Sequence, residues 1–339
     1  MRDGVPEPLR ADDPREVSGY VLRSRVGEGG MGTVYLSHTR GGQPVALKVI
    51  RREHSENPAF RVRFAREVAA ARRVSGYHLA QVVDHSAEGP LPWLATQYVP
   101  GLPLDAALDA YGPLPMSAVL RLTGCLAGAL DAVHAAGVIH RDVKPGNVLL
   151  AADGPWLLDF GIARATDTRT LTTMGRLVGS PKNMSPEHAL GRQLTPASDV
   201  FALGLLAAEA ATGQHPYGRG HGLAVAARIA GTDREPPRLD HHPEPLRRVI
   251  GLCLAARPEE RPTAAAVAEL CRQALDTGGG RGLRDFGGWL PAPVASAVAR
   301  IETATRSRPS SSTPIYLPTV RDPSAGDRTW RIRRTTEPE

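Results

Sequence analysis

Short runs of Val, Ile, Leu and Tyr fill residues 20 to 50: "YVLRSRV" (20–26), "GTVYLSHT" (32–39) and "PVALKVI" (44–50). Glycine-containing connections separate them, a pattern that predicts three strands. Next, "PAFRVRFAREVAAARRV" places Phe60, Phe64, Val68 and Ala71 at three- and four-residue steps, the period of a helix. "LAQVVDHSA" and "PWLATQYV" read as two more strands, so this section predicts a small antiparallel sheet with one helix. From 104 onward Ala- and Leu-rich helical patterns take over, at 117–136, 197–213, 221–230, 244–256 and 263–275. Proline at 115, 196, 245 and 262 sits near several of their starts, where a missing N–H costs nothing. The expected architecture is α+β: a sheet-rich N-lobe over about 19–99 and a larger helical C-lobe over about 100–275, joined near "YVPGLPL". Residues 1–18 are polar and proline-containing and predict a flexible arm. After 276 the chain turns Gly-rich and then Pro-, Ser-, Thr- and Arg-rich, which predicts a largely disordered tail over 276–339. Within it, "WLPAPVASAVARIETA" has the composition of a short helix.

Composition narrows the classes. In 339 residues, 42% are hydrophobic, enough for a packed core. A formal charge of +6 without a long basic run argues against nucleic-acid binding as the main activity. Cys125, Cys253 and Cys271 are far apart and form no CxxC pair, which suits a reduced compartment and gives no zinc site. The N-terminal residues lack the apolar core of a secretory leader. The apolar stretch "VFALGLLAAEAATG" is shorter than the roughly 20 residues of a membrane helix. The chain therefore reads as cytoplasmic, with no membrane span. Lysine occurs only at 48, 144 and 182, all other basic residues being Arg; coding bias alone gives such a skew, yet it makes each lysine a candidate place for an ammonium rather than a guanidinium.

Candidate chemistry gathers at four places. Gly27, Gly29 and Gly32 have G-x-G-x-x-G spacing, which lets backbone N–H groups approach a phosphate. A glycine hairpin turn alone has the same spacing, and a dinucleotide fold would need the glycines to open a helix. Here Val34 and Tyr35 continue as a strand, so a strand–loop–strand flap over a nucleotide fits better. Lys48 stands inside the apolar run "VALKVI", where a lysine is rare, and Glu67 on the following helix is its candidate acidic partner. "HRDVKPGNVLL" sets Asp142 as a base or orienter for a hydroxyl, Lys144 as a phosphate cation and Asn147 as a neutral oxygen ligand for Mg2+. "WLLDFG" ends a strand on Asp159, a hard oxygen ligand that with Asn147 would hold a cation bridging phosphates.

Glycine flap, "VALK", "HRDVKPGN", "DFG" and "SPE" follow in an order and at spacings similar to those of protein kinases, over roughly residues 20–275. "GEGGMGTVYL" and "PGNVLL" resemble most the bacterial, eukaryotic-like Ser/Thr kinases. The resemblance implies a bilobal kinase fold, ATP with Mg2+ (Mn2+ as an alternative), and transfer of phosphate to Ser or Thr of protein substrates. It implies that Lys48 holds the α- and β-phosphates and pairs with Glu67, that Asp142 accepts or orients the substrate hydroxyl with Lys144 beside it, and that Asn147 and Asp159 bind the metal. Val26, Gly27, Gly29, Gly32, Val34, Ala46, Thr96, Gln97, Val99 and Leu149 would line the ATP site. Glu187 of "SPE" would pair with Arg261, and Asp199 would anchor the catalytic-loop backbone. Arg141 implies switching by activation-loop phosphate, with Thr172 and Thr173 as the autophosphorylation sites. Gln97 and "SPKNM" depart from the common pattern; the second leaves peptide preference open. The resemblance admits a homodimer through the N-lobe and, through phosphates on the tail, a phosphothreonine-reading partner. A nucleotide-binding pseudokinase scaffold and a small-molecule phosphotransferase are the competing readings.

Overall fold

A computed structural model describes residues 4–158, 181–277 and 282–306. Asp159, Thr172, Thr173 and the tail from 307 lie outside the described residues.

The N-lobe opens with a two-stranded hairpin of β1 (Glu16–Val17) and β2 (Tyr20–Val21). β3 (Ser24–Gly29), β4 (Gly32–His38) and β5 (Pro44–Ile50) follow, then the short α1 (Arg52–Ser55), α2 (Pro58–Ala71), β6 (Val82–Ser86) and β7 (Trp93–Gln97). The five longer strands form one antiparallel sheet in the order β3-β4-β5-β7-β6. The run 20–26, expected as one strand, is divided: Tyr20–Val21 pairs back onto Glu16–Val17, and a new strand starts at Ser24. α2 starts on Asn57, whose side chain accepts from Ala59 N and Phe60 N, and it buries Phe60, Phe64, Val68 and Ala71, the face read from their spacing.

β8 (Leu102–Pro103) and α3 (Leu104–Tyr111) lead into α4 (Met116–Ala135), the central helix of the C-lobe. β9 (Val148–Ala151) and β10 (Gly154–Leu157) form a hairpin that, with β8, makes a three-stranded sheet in the order β10-β9-β8. The helical half is completed by α5 (Pro186–Ala189), α6 (Pro196–Thr212), α7 (Gly222–Ala230), α8 (Leu246–Cys253), α9 (Ala264–Thr277) and α10 (Ala292–Arg306). α4 is longer than the apolar stretch singled out above and is long and apolar enough to cross a membrane, but most of it is buried in the core. Leu120, Leu122, Leu126 and Leu130 of α4 share one hydrophobic cluster with Phe201, Leu203 and Leu206 of α6.

Both ends depart from expectation. Residues 4–15 are not a loose arm: Glu7 forms an antiparallel bridge with Arg25, and Asp13 is buried against Arg25 and Tyr35. Nor is the segment 282–306 disordered: the short helix read from "WLPAPVASAVARIETA" is present as α10, and it is docked on the core. Trp289, Leu290, Val294, Ala297, Val298 and Ile301 are buried, and the Trp289 indole donates to Ala151 O at 3.1 Å. Composition hides this because few apolar residues, well spaced, suffice to dock a short helix.

Candidate active site

A cavity of about 620 Å3 is walled by β3, β4 and β5 on one side and by the 142–149 loop on the other. Val26, Gly27, Gly29, Gly32, Val34, Ala46, Lys48, Thr96, Gln97, Val99 and Leu149 all line it, together with Asp142, Lys144 and Asn147. The glycines serve two purposes. A Cβ on Gly27 or Gly29 would meet nothing within 4 Å, so their backbone faces open space. One on Gly32 would come within 2.1 Å of Val49 O, so that glycine is demanded by strand packing. Lys48 lies mid-sheet, in register with Val34 of β4 and Leu94 of β7.

The loop at the cavity floor is held from beneath. Asp199, buried on α6, accepts from His140 N and Arg141 N, each at 2.8 Å, and from the His134 ring at 2.8 Å. These bonds hold Arg141 in the left-handed region at φ 65°, a conformation an arginine keeps only under such constraint. The buried His140 donates from Nε2 to Leu158 O at 3.0 Å and accepts on Nδ1 from Asp142 N at 3.4 Å. On Asp142, Oδ2 accepts from Lys144 Nζ at 3.0 Å and from Asn147 Nδ2 at 2.7 Å. Asn147 Nδ2 also bonds Asp142 O at 2.8 Å. With its amide nitrogen committed, Asn147 has Oδ1 to offer a cation, a hard ligand of the kind Mg2+ takes.

Glu67 is placed differently from expectation. Its ion-pair partner among the described residues is Arg141, at 3.5 Å, and not Lys48. Its Oε2 is buried without a hydrogen-bond partner among the described residues. Burial pushes its carboxyl up to about 7, against the pull of Arg141 and Arg63.

The model of the protein kinase domain matches residues 20–272. The chain belongs to the protein kinase domain family. It is 46% identical over 259 residues to a probable serine/threonine-protein kinase, PkwA, of Thermomonospora curvata, covering 76% of this chain and 34% of that protein. It is 42% identical over 306 residues to the serine/threonine-protein kinase AfsK of Streptomyces coelicolor, covering 89% of this chain and 37% of that protein. The chain thus spans between a third and two-fifths of the length of these relatives. Among solved structures it resembles the PknI kinase domain of Mycobacterium tuberculosis, with a TM-score of 0.61 and 30% identity over 76% of this chain and 96% of that one.

Farther from the cleft, the kinase domain is tied by Glu187 and Arg261. Arg261 donates to Glu187 Oε1 and Oε2 at 2.8 and 2.9 Å, and to the carbonyls of Ala197, Ala255 and Ala256. Lys182 accepts through its carbonyl oxygen from His215 Nε2 at 2.8 Å. Motif reading missed Met31, His54, Gly101, Pro103 and Asp105, which also line the cavity, and Gly4 from the N-terminal segment. Met31 lies inside the glycine motif at one of its unspecified positions; the others carry no spacing signal and arrive by tertiary packing.

Proposed function

We propose that this kinase domain is a serine/threonine protein kinase, transferring the γ-phosphoryl group of ATP to hydroxyls of protein substrates with Mg2+ as the cation. Members of the family use ATP and a divalent metal. The observation that carries the reading is the meeting of Asp142, Lys144 and Asn147 on the wall of the same cavity that the glycine flap and Lys48 line. In such a site Lys48 holds the α- and β-phosphates. Asp142, its carboxylate held by Lys144 and Asn147, orients the incoming hydroxyl and takes its proton. Lys144 lies 3.0 Å from that carboxylate, where an ammonium offsets charge on the moving phosphoryl group. Asn147 and Asp159 would hold the cation, which neutralises phosphate oxygens when bound. The relatives' names support serine/threonine over tyrosine specificity. Thr172 and Thr173 are the proposed autophosphorylation sites, on the hydroxyl-rich sequence between "DFG" and "SPE".

Phosphate incorporation from ATP into a generic basic protein tests the reading, with Asp142→Asn as control. The expected loss is about 100-fold or more with nucleotide binding retained. Equal incorporation by the two chains refutes the assignment. Peptide mapping by mass spectrometry should find phosphate at Thr172 or Thr173 of the active chain; its absence from both removes them from the proposal.

A further inference from the structure

Outside the 20–272 match, the N-terminal segment reaches the nucleotide cleft at Gly4, with α10 packed near that glycine. At one end of the N-terminal segment Gly4 lines the cavity, and a Cβ on it would come within 2.6 Å of Ile301 Cδ1 of α10 and 3.1 Å of Gly101 O. In the middle, Glu7 and Arg25 exchange two backbone hydrogen bonds, at 2.7 and 2.8 Å, so the segment adds to the outer edge of β3. At the other end Asp13 is buried. Its Oδ1 accepts from Arg25 Nη2 and Tyr35 Oη, both at 2.6 Å, and its Oδ2 from Arg25 Nε at 3.2 Å and Arg10 N at 2.8 Å. Arg25 uses its remaining terminal nitrogen on Glu28, at 2.7 Å. Arg51 at 2.7 Å and Arg10 at 3.5 Å reach the same carboxylate.

Glu28 stands between Gly27 and Gly29 near the end of β3, paired with Thr33 of β4 just before the flap tip at Gly30 and Met31. From 27 to 32 the chain offers four glycines, Glu28 and Met31. Glycine is the freest backbone, and ordering it over a ligand is entropically costly. Arg51 N and the His54 ring hold the tip itself through Met31 O and Gly30 O, the carboxylate of Glu28 holds the strand that leads into it, and among the described residues Arg25 is the one of its three partners that is itself buried and fixed. What fixes Arg25 is the two-pronged contact with Asp13. We propose that Asp13 is a positioning residue for the nucleotide: through Arg25 it fixes Glu28, and so the glycine flap, with residues 4–13 as a strap from the Gly101 side of the cleft to the flap. The proposal rests on the kinase reading above.

The test is direct ATP binding and steady-state kinetics on the full chain, comparing wild type with Asp13→Asn, Glu28→Gln and the double variant. The expected result for each single variant is a rise of about three- to tenfold in Kd and KM for ATP, with kcat at saturating ATP within about twofold and KM for the protein substrate unchanged. The double variant should be no weaker than the weaker-binding single one, because both changes break one chain of contacts. A folded Asp13→Asn that binds ATP like wild type overturns the proposal, as does full additivity in the double variant. Should Asp13→Asn fail to fold, Glu28→Gln decides, since its side chain is exposed on the flap; unchanged ATP affinity there overturns it. A wild-type chain that binds no ATP refutes the kinase reading itself and takes this inference with it.

Discussion

Glu67 shows how one side chain's titration reports where a helix sits. The unfolded carboxyl has the ordinary value near 4.5, while burial raises the folded one to about 7. The folded chain therefore holds this proton more tightly than the unfolded chain does. That stability is complete below about 4.5 and is lost as pH rises through about 7. Glu67→Gln removes the effect. Its melting temperature relative to wild type should be higher at pH 8 than at pH 5, and a difference independent of pH would refute the assignment. The pairing of Glu67 with Arg141 was not legible in the sequence. Spacing shows that Lys48 and Glu67 can face one cleft, but which cation Glu67 meets depends on how Phe60, Phe64 and Val68 seat α2 against the core. Lys48 was legible because a lysine inside an apolar strand needs a reason. Lys48→Ala should cost phosphoryl transfer about 100-fold or more with melting unchanged; activity within a few-fold of wild type would remove it from the site.

Among the secondary-structure elements, a single buried guanidinium ties together α5, the start of α6 and the loop before α9. Arg261 has no exposed side-chain surface, and its five N–H groups reach Glu187 and three carbonyls, with the Phe201 ring 4.8 Å from its Cζ. Burial pushes the Glu187 carboxyl up, but Arg261 and the Ser198 hydroxyl outweigh it and hold it down to about 2. The stability from this depressed value is present above the ordinary 4.5 and is lost as pH falls through about 2. Glu187→Gln leaves Arg261 buried without a counter-charge and should cost about 3–5 kcal/mol at neutral pH. The deficit should shrink on acidification from about pH 4.5 towards 2. Denaturant unfolding at several pH values checks both, and a deficit below 1 kcal/mol would show the pair to be dispensable. This pair was legible only through family resemblance, because the two residues lie 74 positions apart and no local pattern links them. Of the helices they tie, α6 was legible from periodicity and from Pro196 in its first turn, whereas the four-residue α5 is too short to show a period. The brief β8 and α3 went unread, since two strand residues and two helical turns leave too short a period to register.

For the molecule as a whole, what the sequence concealed lies at the two ends. The sheet, the large helices and the line of cleft residues follow from long apolar periods and from motifs whose charges need a cleft. The ends follow from a few isolated contacts. Asp13 and a bridge at Glu7 hold one; at the other, the Gly-rich "DTGGGRGLRDFGGW" masks the anchor Trp289. Those anchors reach the active site's support. Trp289 donates to Ala151 O, Glu302 accepts from Ala152 N at 3.1 Å, and Ala151 ends β9, the strand that follows Asn147. Arg121 of α4 donates to Gly282 O at 2.6 Å, which fixes the start of the same segment. Trp289→Ala alone should cost about 3–5 kcal/mol, the usual loss for a large buried aromatic. A chain ending at 276 uncovers β9 and the inner face of α10's site together, and should melt well below the full chain and lose phosphoryl transfer. A chain ending at 306 should keep the melting temperature and full activity on an external substrate. It should lose most autophosphorylation outside the activation loop, because "RSRPSSSTP" and "RRTTEPE" place acceptor hydroxyls on a segment tethered to the kinase at high effective concentration. Thermal melting and phosphate mapping of the two truncations separate the roles. If the 276 chain melts with the full one, α10 is an appendage; if the 306 chain melts early, the Pro-, Ser-, Thr- and Arg-rich end belongs to the fold.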